Sequence, residues 1–155
     1  MQKSNRLQLK HYNNALIGIE TNFSTYPVKR LEQLKYKKMF YRETEDSYTH
    51  KVLQKYGFRT DRLTRPLIIA NLVKLVREEV ELIHDVDTLN EMLTFVRNEK
   101  GKPEAQEGAH DDLIMGLAIA HYIRGQQDAK MCATFSCENI ISKGICMFFV
   151  IICVR

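Results

Sequence analysis

The spacing of apolar and polar positions changes from segment to segment along the chain, and each change marks an element. From Arg6 to Tyr12 only Leu7, Leu9 and Tyr12 are apolar, which predicts the end of a short surface helix leading into Asn13 and Asn14. ALIGIE, from Ala15 to Glu20, is instead a short run rich in Ile and Leu, the pattern of a buried strand, and it ends on an acid. Thr21 to Tyr26 predict a polar turn. Pro27 suits a first helical turn, and Val28, Leu31 and Leu34 fall on one face of VKRLEQLKY. KMFYRE predicts a second strand, with Met39 and Tyr41 alternating against Phe40 and Arg42. Thr44 to Asp61 is polar with Gly57 as punctuation, an excursion or hairpin over the surface.

Thr64-Arg65-Pro66 opens the clearest helix, with Leu67, Ile68, Leu72, Leu75, Val76 and Val80 as its apolar face. Asp87 is the best N-cap candidate for the next helix, TLNEMLTFVRN, whose buried face is expected at Leu89, Met92, Leu93 and Val96. NEKGKPEAQEG is a turn-rich connection to EGAHDDLIMGLAIAHYI, where Gly108 breaks the loop and Asp111 and Asp112 head an apolar run containing Gly116, Ala118 and Ala120. Strand, helix, strand, helix, helix and acid-headed helix is an α/β order with helices covering a sheet.

With 155 residues the chain is at most one ordinary domain, and its net charge of +4 permits a polyanionic partner without requiring one. The cations are clustered: Lys29, Arg30, Lys35, Lys37, Lys38 and Arg42 fall close together, and Arg59, Arg62 and Arg65 recur every third residue. Such clusters serve either as a solvated face or as phosphate contacts. No charged-then-apolar signal opens the chain, and the longest apolar run, Ile145–Val154, is about half of a membrane span, so a cytoplasmic protein without membrane partners is expected. Cys132, Cys137, Cys146 and Cys153 all lie in the last stretch, at separations that match neither paired zinc spacing nor a secreted disulfide framework. Composition shifts after Gln127, which divides the chain into residues 1–127 and a tail, 128–155. The tail is either an edge strand or interface segment, or the product of a shifted reading frame or disrupted gene.

The acids carry the candidate chemistry. Asp111 and Asp112 either cap their helix or bind a metal, because a carboxylate at a helix N-terminus satisfies free N–H groups equally well. Glu20 either marks where its strand reaches solvent or is a placed ligand. If Glu20 meets the Asp pair, the three could share Mg²⁺ or Mn²⁺, hard cations that take oxygen ligands. Two such ions roughly 4 Å apart activate water and stabilise the leaving oxygen of a phosphodiester. His110 could orient or deprotonate that water, or be a surface hydrogen-bonder. His84 and His121 are expected to be structural. No GxxxxGK[ST] loop, G-x-S-x-G elbow or cysteine near a catalytic His occurs, which excludes a motor, a hydrolase elbow and a thiol enzyme.

ALIGIETN, TRPLIIANLV, LNEMLTFV and above all EGAHDDLIMGLAIA, in this order and spacing, resemble the C-terminal nuclease domain of the phage terminase large subunit over about Asn13 to Arg124. The resemblance implies an RNase H-like fold of the RuvC and terminase type, here an incomplete mixed sheet flanked by helices. It also implies a metal-dependent endonuclease that cuts concatemeric phage DNA during genome packaging. Glu20 would correspond to the family's strand-end acid, and Asp111 or Asp112 to its helix-head acid. Resolvases of the same fold class place an acid at the position of Asp112, which favours it as the ligand. The implied catalytic set is Glu20, Asp111, Asp112 and His110, with Glu20, Asp112 and Asp111 on Mg²⁺ or Mn²⁺. Lys29, Arg30, Lys35, Lys37, Lys38, Arg59, Arg62 and Arg65 would contact double-stranded DNA. Other terminase subunits or the portal are implied partners, and an open sheet edge would favour self-association. The family's triad also needs an Asp on an earlier strand, and no Asp occurs before Asp46; nor does an ATPase domain precede the strand. The likeness is therefore to the distal part of the domain, as in a truncated or split prophage product. The alternatives are a catalytically inactive DNA- or subunit-binding remnant and, third, a Holliday-junction resolvase.

Overall fold

The computed structural model describes residues 15–131 and 150–152. Among these the chain is mixed α/β, with four α-helices, one 3-10 turn and three two-stranded sheets. It divides into two compact units, Met1–Thr60 with Ile123–Arg155, and Asp61–Tyr122. The surface helix expected at Arg6–Tyr12 lies outside the described residues.

The first unit is built on β1 (Ile17–Ile19), buried along its whole length as its Ile-rich run predicts. Its parallel partner is β6 (Val150–Ile152), in the register Ile17↔Val150 and Ile19↔Ile152. This short strand falls inside the 128–155 tail, so part of that segment belongs to the sheet structure. Ile17 uses its amide and carbonyl on the opposite edge, donating to Lys38 O at 2.9 Å and accepting from Phe40 N at 2.8 Å. β1 thus has backbone partners on both sides, and Ile17 also bridges in parallel to Met39.

Helix α1 (Tyr26–Gln33) carries the expected proline, Pro27, in its first turn and buries Val28 and Leu31. They join Ile17, Ile19 and Met39 in one cluster, with Leu34 and Tyr36 packed against it. Its exit is a Schellman turn: Tyr36 N donates to Leu31 O and Lys35 N to Glu32 O, with Lys35 at φ +56°. The Tyr36 hydroxyl donates to Ala15 O, tying the helix exit to the start of β1. The expected strand at KMFYRE begins only at Tyr41, since Met39 is held by a single bridge; β2 (Tyr41–Glu45) then pairs antiparallel with β3 (Val52–Tyr56). This is the hairpin expected within Thr44–Asp61, and every residue of β3 is exposed. Gln126 closes the far edge of β2 with its side-chain amide, accepting from Tyr41 N and donating to Tyr41 O.

In the second unit, α2 (Thr64–Glu78) buries Ile68, Ile69, Leu72 and Leu75. The expected face is corrected at Leu67, Val76 and Val80, which are exposed, and at Ile69, which is buried. LIIANLV has no polar residue among its first three positions to fix the rotation of the helix, so periodicity alone leaves the face ambiguous. A 3-10 turn (Val80–Leu82) follows, and Ile83 is buried behind it.

Helix α3 (Val86–Leu93) is capped by Asp85 rather than Asp87. The Asp85 carboxylate accepts from Thr88 N at 2.8 Å and from Thr88 Oγ1 at 2.6 Å. Because the helix starts earlier, Thr88 is its buried residue, and Leu89 and Leu93 are exposed. The helical reading of TFVRN is also corrected: β4 (Phe95–Arg97) pairs antiparallel with β5 (Pro103–Ala105) around Gly101, at φ +74°. Finally α4 (Asp112–Met131) begins at the acid pair and buries Ile114, Met115, Ala118, Ile119 and Ala120 within this unit. Among the described residues no helix is long and apolar enough to cross a membrane.

Candidate metal centre and nucleic-acid interface

Glu20 belongs to the first unit, at the end of β1, where it bridges in parallel to Phe58 and is half-buried. The backbone around it is held tightly. Phe58 N donates to Ile19 O at 2.7 Å, and Thr21 donates to Phe58 O from its amide and its hydroxyl, at 2.8 and 2.9 Å. Asn22 then makes a reciprocal pair with Thr60, accepting from Thr60 N at 2.9 Å and donating to Thr60 O at 2.5 Å. Gly57 permits this approach: at φ +93° a Cβ there would collide with the Thr21 methyl group. Arg42 braces the same corner, donating to Gly57 O at 2.7 Å. Glu20 is therefore fixed by its backbone on both sides.

The cations expected on DNA divide by environment. Lys29, Lys35, Lys37, Lys38, Arg59 and Arg62 are exposed. Arg30 is half-buried and donates to Gln33 Oε1 at 3.0 Å.

Arg65 is built into the second unit instead. Its Nη2 donates to Asp111 Oδ2 at 2.8 Å and to Pro103 O at 3.3 Å. The side chains of the Arg65–Asp111 pair are 23% and 16% exposed, so it is well shielded from water. Arg65 links the start of α2 to β5 and to the head of α4, a task closer to positioning than to phosphate binding.

Asp112 is the first residue of α4 and Asp111 its N-cap, whose carbonyl accepts from Met115 N at 2.9 Å. Both acids are half-buried and His110 is exposed. An N-cap side chain usually accepts from the second or third amide of its helix. Here those two amides, Leu113 N and Ile114 N, donate to Glu91 Oε2 at 2.9 and 3.2 Å. Glu91 is the site residue that sequence reasoning missed. No local spacing announces it, because its partners lie more than 20 residues away. Nearby, the carboxyl of Glu104 is held below its usual range by the Asn98 amide and then by Lys102.

The second unit thus gathers His110, Asp111, Asp112, Arg65 and Glu91, while Glu20 stands in the first. Among the described residues no group of three His, Cys, Asp or Glu side chains is arranged to hold a metal ion. No family model matches the chain, and no solved structure is significantly similar to it.

Proposed function

We propose that the chain is the distal part of a terminase-type nuclease domain with an RNase H-like fold, acting in metal-dependent cleavage of double-stranded DNA during phage genome packaging. The observation that carries this reading is the separation of roles in the acid pair. Asp111 pairs with Arg65; the reading assigns metal binding to Asp112, where resolvases of the same fold class carry an acid, and gives Glu20 the role of the family's strand-end acid. Glu20 fits the reading because its strand has parallel neighbours and its backbone is locked.

Carboxylate oxygens suit Mg²⁺ or Mn²⁺, and in this reading water and phosphate oxygens complete the shell. A bound ion supplies an activated water and charge neutralisation at the scissile phosphate. His110, exposed beside the pair, orients the attacking water. Lys29, Lys35, Lys37 and Lys38 bind the phosphate backbone. Lys35 presents its cation from the left-handed exit of α1. The partners in this reading are DNA, other terminase subunits or the portal, and a second copy through the open sheet edge, inside a bacterial host cell.

A second reading, a catalytically inactive DNA- or subunit-binding remnant, is favoured by the same Arg65–Asp111 pair, which neutralises one carboxylate. A plasmid nicking assay in Mn²⁺ separates the two. Cleavage that is lost in both Glu20→Ala and Asp112→Ala supports the nuclease. A folded wild type that binds DNA without nicking it selects the remnant, and cleavage unchanged in both variants refutes the site.

A further inference from the structure

The β2–β3 hairpin has two outer edges, and they end differently. Gly57 N donates to Phe40 O at 2.9 Å and Asp46 N to Lys51 O at 3.0 Å, which fixes the alternation of the ladder. Leu53 and Lys55 therefore turn their backbone groups toward β2, and Val52, Gln54 and Tyr56 turn theirs outward. The outer edge of β2 is met at Tyr41 by the side-chain amide of Gln126. On β3, among the described residues, nothing hydrogen-bonds to the outward amide or carbonyl of Val52, Gln54 or Tyr56. The side chains of the whole strand are exposed as well. The turn behind the edge is held, because the Asp46 carboxylate accepts from Tyr48 N and Thr49 N, both at 2.9 Å. An open edge strand is a template for another strand unless charges, a proline or a bulge blunt it. β3 carries one cation, Lys55, and has neither a proline nor a bulge.

We propose that β3 is the pairing edge of a two-fold dimer, and that its occupant is β3 of a second copy, antiparallel and centred on Gln54. The residues of the strand select this partner and this register. Centring on Gln54 sets Gln54 against its own copy, Val52 against Tyr56, and Leu53 against Lys55. The three outward residues then exchange amide and carbonyl with their counterparts, which satisfies every open backbone group of the strand. On one face a β-branched residue meets an aromatic ring and one Gln amide meets the other. On the opposite face Leu53 lies along the methylene stem of Lys55. Neighbouring registers bring like charges together. Centring on Lys55 sets Lys55 against itself and leaves Val52 without an open counterpart, whereas centring on Leu53 sets Lys51 against Lys55 and Tyr56 against the hairpin turn. Because both copies use the same edge, assembly stops at two. The inference goes beyond the proposed function and holds whether or not the chain binds metal or cleaves DNA.

Sedimentation of the full chain over a concentration series, with amide exchange at its two ends, tests the pairing. A single strand pair is a small interface, so monomer and dimer should interconvert within the series. At low concentration Leu53 and Lys55, bonded to β2, should be protected from exchange while Val52, Gln54 and Tyr56 are not; at high concentration all five should be protected. Leu53→Lys sets a cation against Lys55 twice over by symmetry, and is expected to raise the dimer dissociation constant about 10-fold. Adding Lys55→Glu restores opposite charges at both places and should return the constant close to that of the wild type. Gln54→Pro removes the outward amide at the centre and leaves every bond to β2 in place, so it should give a monomer that melts like the dilute wild type.

A dimer with protection at the three outward amides, weakened by Leu53→Lys and regained with Lys55→Glu, supports the proposal. A chain that stays monomeric throughout overturns it and leaves the edge to a strand of another protein. Dimers whose three outward amides exchange as fast as in the monomer also overturn it, since association then lies elsewhere. Protection that survives Leu53→Lys undiminished, or that the double variant fails to regain, overturns the register and the proposal with it.

Discussion

Arg65 and Asp111 form an ion pair whose side chains are only 23% and 16% exposed, and its removal should be felt accordingly. Arg65→Ala is expected to cost about 2 kcal/mol in urea unfolding, the worth of hydrogen bonds to a charged group shielded from water. Lys74→Ala breaks a pair whose side chains are 70% and 58% exposed, and should cost less than about 0.5 kcal/mol. Equal losses would mean that Arg65 does not anchor the head of α4. Asp85 gives a pH signature. Its carboxyl is held below the usual range by the Thr88 hydroxyl and then by the Thr88 amide. The unfolded chain therefore binds this proton more tightly than the folded one. The stabilisation is present above the usual Asp range and is lost as pH falls through the folded-state value. Thermal unfolding between pH 7 and pH 3 should show a steeper acid loss for the wild type than for Asp85→Ala. At this scale the acids themselves were legible in the sequence, because adjacent carboxylates before an apolar run mark a helix head. Which acid does which task was not legible, since Glu91 and Arg65 reach the head of α4 from distant segments, and Asp85 and Asp87 are equally good caps by local chemistry.

Elements were predicted best where the pattern admits one solution. α1 follows from Pro27 and the spacing of Val28, Leu31 and Leu34, and β1 from a short apolar run that ends on Glu20. The β4–β5 hairpin was missed because Phe95 and Val96 extend the apolar spacing of LNEMLTFV without a break, so only the pairing of Phe95 with Ala105 ends the helix. The exit of α1 offers a direct check on element energetics. Lys35 holds a left-handed conformation at φ +56°, which costs a non-glycine residue about 1 kcal/mol. Lys35→Gly is expected to raise folding stability by a few tenths of a kcal/mol up to about 1 kcal/mol, while weakening DNA binding. A variant that gains stability and keeps full DNA affinity would remove Lys35 from the interface. Gly57→Ala should act in the opposite sense, with a lower thermal midpoint, because both its φ of +93° and the Thr21 methyl exclude a side chain.

At the scale of the whole molecule, the 128–155 segment and the cation clusters matter most. β6 is the parallel partner of β1 along one edge, so deletion of residues 128–155 is expected to lower the thermal midpoint and promote association through the opened strand. A deletion that melts like the full chain would show that β6 adds nothing. Phosphate binding by Lys29, Lys35, Lys37 and Lys38 predicts DNA affinity that falls steeply with salt, with a slope of about 0.9 per phosphate neutralised. Composition announced the segment after Gln127 as different, yet the residue types alone did not distinguish an edge strand from a disrupted tail. The RNase H-like reading likewise draws on the wording of four sequence blocks more than on periodicity, which yields only an α/β order.

Asp112 is the proposed metal ligand at the head of α4. Substoichiometric Mn²⁺ added to the labelled full chain tests this most directly, because a paramagnetic ion broadens the amide signals nearest to it. The proposal predicts broadening at Leu113 and Ile114, abolished in Asp112→Asn. Mn²⁺ that leaves these two amides sharp, or broadens signals evenly over the exposed carboxylates, would contradict it.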